Sequence, residues 1–203
     1  MPKINLTKNE LKIQKDDLKR FNRYLPMLTL KKQQLQAELL RVDNLIHSLL
    51  EKEKQLEEAL FIWADVFAED IDLSLLLKVK KIKTESGNIA GVAVPLFVEV
   101  EFEQASYDYL VVPLWVDQAI VALKELIIEK AKYLIAQRQR LAIEEELHIT
   151  TQRVNLFEKI KIPQATENIR VIQIHLGDMQ TVGVVRGKIA KSKLEKRPEL
   201  TSS

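Results

Sequence analysis

The stretch RVNLFEKIKIPQATENIRVI, Arg153 to Ile172, reads as a charged amphipathic helix that carries a proline, Pro163, in its interior. An interior proline removes one backbone hydrogen bond and crowds the preceding turn, at a cost of roughly 3 kcal/mol. The apolar positions around it change phase. Ile143, Leu147, Val154 and Phe157 form one frame, and Ile162, Ala165, Ile169, Ile172, Leu176 and Met179 form the next. From Phe157 to Ile162 the step is five residues, neither the three nor the four of a helical seam. Pro163 therefore sits where the stripe must be re-aimed at a partner, and a local distortion there offsets part of the proline's cost.

Upstream, the same helix is traced from about residue 114, with Pro113 placed to open it at a position where its missing N–H is not needed. Its first stripe runs Val116, Ile120, Leu123, Ile127, Leu134, Leu141, interrupted by Lys130 and Gln137. The partner stripe lies near the other end of the chain. From Leu11 to Phe67 one heptad register holds in two rows. The first is Leu11, Leu18, Leu25, Lys32, Leu39, Ile46, Glu53, Leu60, Phe67, and the second is Gln14, Phe21, Leu28, Leu35, Val42, Leu49, Leu56, Trp63. A strict seven-residue repeat buries only against another helix. Such a helix would be on the order of 85 Å long at ~1.5 Å per residue, so the sequence predicts an elongated molecule. Pro26 interrupts the first helix as Pro163 does the second, and the charged seam positions Lys32 and Glu53 are expected to fix register.

Between the helices the helical period disappears. KVKKIKTESGNIAGVAVPLFVEVEFE, Lys78 to Glu103, is rich in valine and isoleucine, and predicts a hairpin with strands near 77–84 and 89–94 turning at Ser86-Gly87-Asn88. Pro95 ends the second strand or marks an edge, and 95–112 is expected to be irregular. The fold class is thus mainly α: two long antiparallel coiled-coil helices joined by a segment containing a β-hairpin. The expected divisions are 1–76, 77–112 and 113–203. Both termini then emerge together, with Leu18 beside Leu176 to Val184.

Composition agrees with this reading. Five glycines and six prolines in 203 residues leave long uninterrupted runs. Gly177, Gly183 and Gly187 weaken the last turns of the second helix or mark a close backbone approach. The absence of cysteine removes disulfides, thiolate metal sites and cysteine nucleophiles. No apolar run reaches the ~18–20 residues of a membrane span, and the start lacks a signal peptide's apolar core, so a cytoplasmic protein without membrane insertion is expected. Charge is uneven: residues 8–32 hold eight Lys or Arg against three acids, residues 51–72 eight acids against two lysines, and Arg186 to Arg197 six against one. His47, His148 and His175 stand apart, no glycine-rich phosphate loop precedes a helix, and a two-helix shaft offers no concave pocket. No catalytic residue, metal or cofactor is expected.

The order long helix, hairpin, long helix, followed by RVNLFEKIKIP, resembles the D subunit of V-type and A-type ATPases. Arg153, Val154, Asn155 and Glu158, closed by Ile162-Pro163, match the family's most specific block, and Leu28, Lys31 and Leu35 correspond in the first helix. Arg23-Tyr24 departs from a usual Arg-Gly pair, and VGVVRGKIAK, residues 182–191, departs from an aromatic, arginine-bearing stretch. The resemblance implies a non-catalytic central rotor shaft. Its partners would be the catalytic A and B subunits of the hexamer, the F subunit, and the subunit that caps the membrane ring, with no nucleic acid. Rotation would couple ATP hydrolysis or synthesis to ion movement, the complex lying peripheral to the membrane. Arg153, Val154, Asn155, Glu158, Ile162, Pro163, Lys31, Lys32 and Leu35 are the implied contact candidates. A prefoldin-like chaperone subunit, which also joins coiled-coil helices through hairpins, is the alternative.

Overall fold

The computed structural model describes residues 4–64, 76–104 and 115–195. Helix α1 spans Lys8–Ala64, strands β1 and β2 span Leu77–Ile89 and Val92–Gln104, and helix α2 spans Trp115–Leu156. A π-helical turn, Phe157–Lys161, leads directly into helix α3, Ile162–Glu195. The expectations for Pro113, Trp63, Phe67 and residues 105–112 fall outside the described residues or side chains. Two compact units are distinguished, one of Met1–Leu30 with Thr151–Ser203, the other of Lys31–Thr150.

α1 begins where Thr7 caps it, its Oγ1 accepting the Glu10 N–H at 3.2 Å. The heptad survives intact: every seam position from Leu11 to Leu60 is buried or half-buried, and Pro26 sits exposed within an unbroken helix. In the Lys31–Thr150 unit Leu35, Val42 and Ile143 close a core together with Val94 of the hairpin. A second core joins Leu77 to Val116 and Ile120, with Phe102, Leu123 and Ile127 packed around it. Antiparallel pairing of α1 with α2 is fixed by cross-helix ion pairs: Lys31–Glu146 at 2.5 Å, Asp43–Arg140 at 2.8 Å and Glu53–Lys130 at 3.2 Å. Each such pair adds little energy near the surface, but a slipped register would lose all of them. Of the three charges that interrupt the predicted stripes, Lys32, Glu53 and Lys130, the last two are each other's partners.

The α2 stripe corrects one expectation. Val116, Ile120, Leu123 and Ile127 face inward, whereas Leu134 and Leu141 are exposed and Ala131, Ile135, Ala136, Gln139 and Ile143 are buried in their place. This part of α2 covers the hairpin as well as α1, so its buried face is broad and displaced from a strict heptad line. Gln139 donates from Nε2 to the Pro95 carbonyl at 2.6 Å.

The hairpin turns at Ala90-Gly91, not at Ser86–Asn88, and β2 continues through Pro95 to Gln104, where irregular chain was expected. Both corner residues have positive φ, 50° and 82°, as a two-residue hairpin turn of this hand requires. Asn88 acts through its side chain, Oδ1 accepting the Gly91 N–H at 2.9 Å. Gly87 is a packing glycine: a Cβ there would meet Leu96 Cδ1 at 2.5 Å. A two-stranded ribbon has an outer edge on each strand, so Pro95, opposite Ser86, interrupts nothing there. On the ribbon surface Lys83 bridges Glu99 and Glu101 at 2.5 and 2.7 Å. Lys83 holds the Glu101 carboxyl below the usual range.

In the other unit Asn168 donates to Gln14 Oε1 at 3.1 Å, and Phe21 stacks on Phe157 at 5.3 Å between centroids. Leu18 therefore faces the chain between Phe157 and Asn168, not Leu176 to Val184. Seam matching sets this register, and the like-charged basic ends have no attraction that would align them. Beyond Leu176 α3 runs on exposed, so Met179 leaves the predicted seam. The three glycines of this stretch have open space around them, which removes the close-approach reading within this chain.

The π turn resolves the proline. Had α2 continued as an uninterrupted heptad past Val154 and Phe157, Lys161 and Gln164 would have entered the seam. One extra residue in a turn whose Ile162 N–H reaches back to the Phe157 carbonyl brings Ile162 and Ala165 inward instead. The wider turn also relieves the clash that Pro163 would make with Lys159 in a regular α-helix.

In this cysteine-free chain, Gln14→Cys with Asn168→Cys should link efficiently through a short thiol cross-linker, and Leu18→Cys with Leu176→Cys should not. The opposite result would refute the register. Leu35→Ala should cost about 2–5 kcal/mol in denaturant unfolding, because Leu35 is fully enclosed. Thr150 is 1% exposed and its hydroxyl has no partner. Thr150→Val should therefore raise stability, by about 1 kcal/mol.

Candidate partner-binding surface

The nine residues singled out in the sequence are divided between the two units. Lys31, Lys32 and Leu35 belong to the Lys31–Thr150 unit, and Arg153, Val154, Asn155, Glu158, Ile162 and Pro163 to the other. Within each group the side chains divide by role. Leu35 and Val154 are buried and Ile162 is half-buried, so these three serve the seam. Lys31 is half-buried and held by Glu146, while Lys32 lies half-buried on the seam line. Arg153, Asn155, Glu158 and Pro163 are exposed and available to another molecule.

The exposed members surround the π turn. Glu158, Lys159, Ile160 and Lys161 all face solvent, with Leu156 and Ile160 as exposed apolar neighbours. Pro163 follows on the same open stretch. A turn of this kind, which presents backbone and mixed side chains away from the seam, is suited to recognising a protein surface.

A second exposed surface was only partly legible. From Gly177 to Glu195 every residue of α3 is exposed. Met179, Val182, Val184, Val185, Ile189 and Leu194 occur among them. At about 100° per residue Met179, Val182, Val185 and Ile189 share one broad face, Leu194 borders it and Val184 lies on the opposite side. Arg186, Lys188, Lys191 and Lys193 supply the charge of the same segment, whose one acid after Asp178 is Glu195. Reading Met179 as seam concealed this, because Leu176, Met179, Val182, Val185 and Ile189 keep the three- and four-residue steps of a continued seam.

Two polar grooves lie along the helix pairs. One is lined by Asp43, Ile46, His47, Gln137, Arg140 and Leu141. In it the Arg140 guanidinium is held above its ordinary range by Asp43 and then Glu144. The other lies between Glu10, Gln14 and Asp17 on one side and Lys161, Gln164 and Asn168 on the other. Among the described residues no group of three His, Cys, Asp or Glu side chains is placed to hold a metal ion. No described helix is long and apolar enough to cross a membrane.

Because both side chains are exposed, Arg153→Ala and Asn155→Ala should leave unfolding within about 0.5 kcal/mol of the parent. Val154→Ala should lower stability by about 1–3 kcal/mol, since it empties a seam site. Thermal melts of the three variants check this. Equal losses would place Arg153 and Asn155 in the fold.

Comparison with known proteins accords with the architecture. The family model for the D subunit of ATP synthase matches residues 10–192. A V-type ATP synthase D subunit of Borreliella burgdorferi is 47% identical over 97% of this chain and 98% of its own length. Proteins of the same description from Chlamydia pneumoniae and Chlamydia caviae are 36% and 32% identical, over 96% and 97% of this chain and 94% and 96% of theirs. These matches give the prefoldin-like alternative no support. With helix, hairpin and helix in the expected order and the match running through both helices and the π turn, the chain belongs to the family of ATP synthase D subunits.

Proposed function

We propose that this chain is the central rotor shaft of a V-type ATP synthase, a non-catalytic subunit that couples ATP hydrolysis or synthesis in a surrounding hexamer to ion translocation. The observation that carries the reading is the α3 segment Gly177–Glu195. It is exposed throughout yet carries six large apolar residues, five of them within one half of the helix and Val184 on the opposite side. An exposed helix with so broad an apolar face, and no partner for it among the described residues, calls for a covering from other subunits. A ring of subunits enclosing the helix satisfies that requirement, and the ring of catalytic A and B subunits is the enclosure this reading assigns. Its inner surface would need to be smooth enough to let a helix turn. The basic side chains would then meet acceptor or acidic groups on the ring in succession as rotation proceeds.

Torque must pass along the helix pairs, and the seams supply the stiffness for it. Cross-helix pairs such as Asp43–Arg140 resist sliding, and the enclosed Leu35, Ile143 and Ile172 resist separation. In this reading the F subunit binds along the Lys31–Thr150 unit, where the hairpin ribbon and the exposed Leu134 and Leu141 provide surface. The subunit capping the membrane ring engages the hairpin-bearing end, and the complex lies peripheral to the membrane.

Two measurements test the reading. With the hexamer immobilised and a bead on a cysteine placed at Ala90, ATP should drive stepwise rotation of this chain; a stationary bead on an active complex would refute it. Removing residues 177–203 should leave the remaining helix pairs folded but reduce coupled ATPase activity to that of the hexamer without this chain. Full coupling after the truncation would remove the enclosed-helix argument.

A further inference from the structure

The hairpin leaves one strand edge unused. β2 lies against α2 at several points: the Pro95 carbonyl accepts from Gln139, Lys132 stands over the Phe97 ring, and Lys124 reaches Phe102 and Gln104. Ser86 and Pro95 face each other in the ladder. Pro95 has no N–H to give, so this pair exchanges no hydrogen bonds and both residues direct their backbone groups outward. For β2 that outward side is the one Gln139 reaches. On β1 the same alternation turns the N–H and C=O groups of Thr84, Ser86 and Asn88 to the outer edge. No described backbone group outside the ribbon bonds to that edge. From Lys78 to Asn88 every residue is exposed except Lys83 and Gly87, which are half-buried.

An open strand edge is a template for one more strand, and this one has a definite charge. Lys78, Lys80, Lys81 and Lys83 stand on β1 against a single acid, Glu85. Lys83 is taken by Glu99 and Glu101, whereas Lys78, Lys80 and Lys81 make no ion pair with any described residue. Val79 and Ile82, interleaved with these lysines, are exposed apolar side chains that a neighbouring strand would cover. Two copies of this chain joined edge to edge would set lysine against lysine, which destabilises a pairing. An acidic strand meets no such opposition.

We propose that the outer edge of β1 takes an acidic, extended segment of the F subunit as a third strand of the ribbon. Main-chain hydrogen bonds to Thr84, Ser86 and Asn88 hold the segment, and Lys78, Lys80 and Lys81 select its charge. The ribbon belongs to the Lys31–Thr150 unit, and the proposal rests on the reading that assigns the F subunit to that unit.

Amide exchange on the full chain reads the edge directly. Alone, the chain should exchange the N–H groups of Thr84, Ser86 and Asn88 rapidly and those of Glu85 and Gly87 more slowly. Adding the F subunit of the same synthase should slow the first set. Ser86→Pro removes one outward N–H and, like Pro95 opposite it, none from the ladder. Its melt should be unchanged, while its affinity for the F subunit should fall about two- to tenfold, the range expected for one hydrogen bond. Ser86→Ala, which keeps the N–H, should bind as the parent does. Lys80→Glu combined with Lys81→Glu, at two exposed positions, should weaken binding about threefold or more at low salt, and the loss should shrink as salt rises. Parental affinity for Ser86→Pro or for the lysine pair would overturn the proposal while leaving the F subunit assigned to this unit. Slow exchange at Thr84, Ser86 and Asn88 in the isolated chain would also overturn it. The edge would then be covered by this chain itself or, if the protection depends on concentration, by a second copy. Failure of the parent chain to bind the F subunit at all would refute the underlying reading and this site with it.

Discussion

Two apolar stripes that can be buried only against each other are the constraint on which the rest of this structure depends. The α1 stripe keeps one heptad register from Leu11 to Leu60. Enclosing a leucine or isoleucine is worth about 1.5–3 kcal/mol per side chain, and Leu35, Ile143 and Ile172 are fully enclosed. Isolated helices gain too little from propensity alone to hold such lengths, so packing of the stripe decides. Once α1 sets a regular stripe, the other strand of the pair must adapt to it. The π turn at Phe157–Lys161 is that adaptation, because it absorbs a residue that would otherwise carry Lys161 and Gln164 into the seam.

The same constraint explains where polar groups are tolerated. Glu53 occupies a seam position and is satisfied by Lys130, which lies largely in solvent and so adds little desolvation of its own. Gln139 is buried on α2 but spends its amide on the Pro95 carbonyl, tying the ribbon to the helix at a point where β2 has an outer edge. Two described oxygens depart from this, the Thr150 hydroxyl and Glu129 Oε2, each buried without a partner. Beyond Leu176 α3 has no partner helix among the described residues, and its apolar positions are exposed.

Much of the architecture was readable in advance because a heptad is a local record of a tertiary fact. The seam of α1, the helix–hairpin–helix order and the phase change at Pro163 all follow from spacing. The five-residue step from Phe157 to Ile162 is the footprint of a π turn. The hairpin turn was misplaced because Ser86, Gly87 and Asn88 have turn-forming composition for other reasons: Gly87 makes room for Leu96, and Asn88 caps Gly91 from outside the corner. Leu134 and Leu141 looked like seam because a stripe read along one helix takes no account of a ribbon lying over its other side. Of the candidate contact residues, their types were legible in the family-like block, but their division into seam and surface was not.

The sequence by itself determined the class of fold, the repeat that makes α1 long, and the place where the second helix must depart from a regular α ladder. Those properties depend on residues close together along the chain. Tertiary structure alone decided the pairing register, Gln14 with Asn168 and not Leu18 with Leu176, because many offsets bury comparable apolar stripes and only side chains on opposite helices distinguish them. It alone decided the hairpin corner, since sending Val94 into the core with Leu35, Val42 and Ile143 selects one register of a ribbon that otherwise has several. It also decided how the phase change is absorbed: the proline is visible in the sequence, but the diversion of the Ile162 N–H to the Phe157 carbonyl is not.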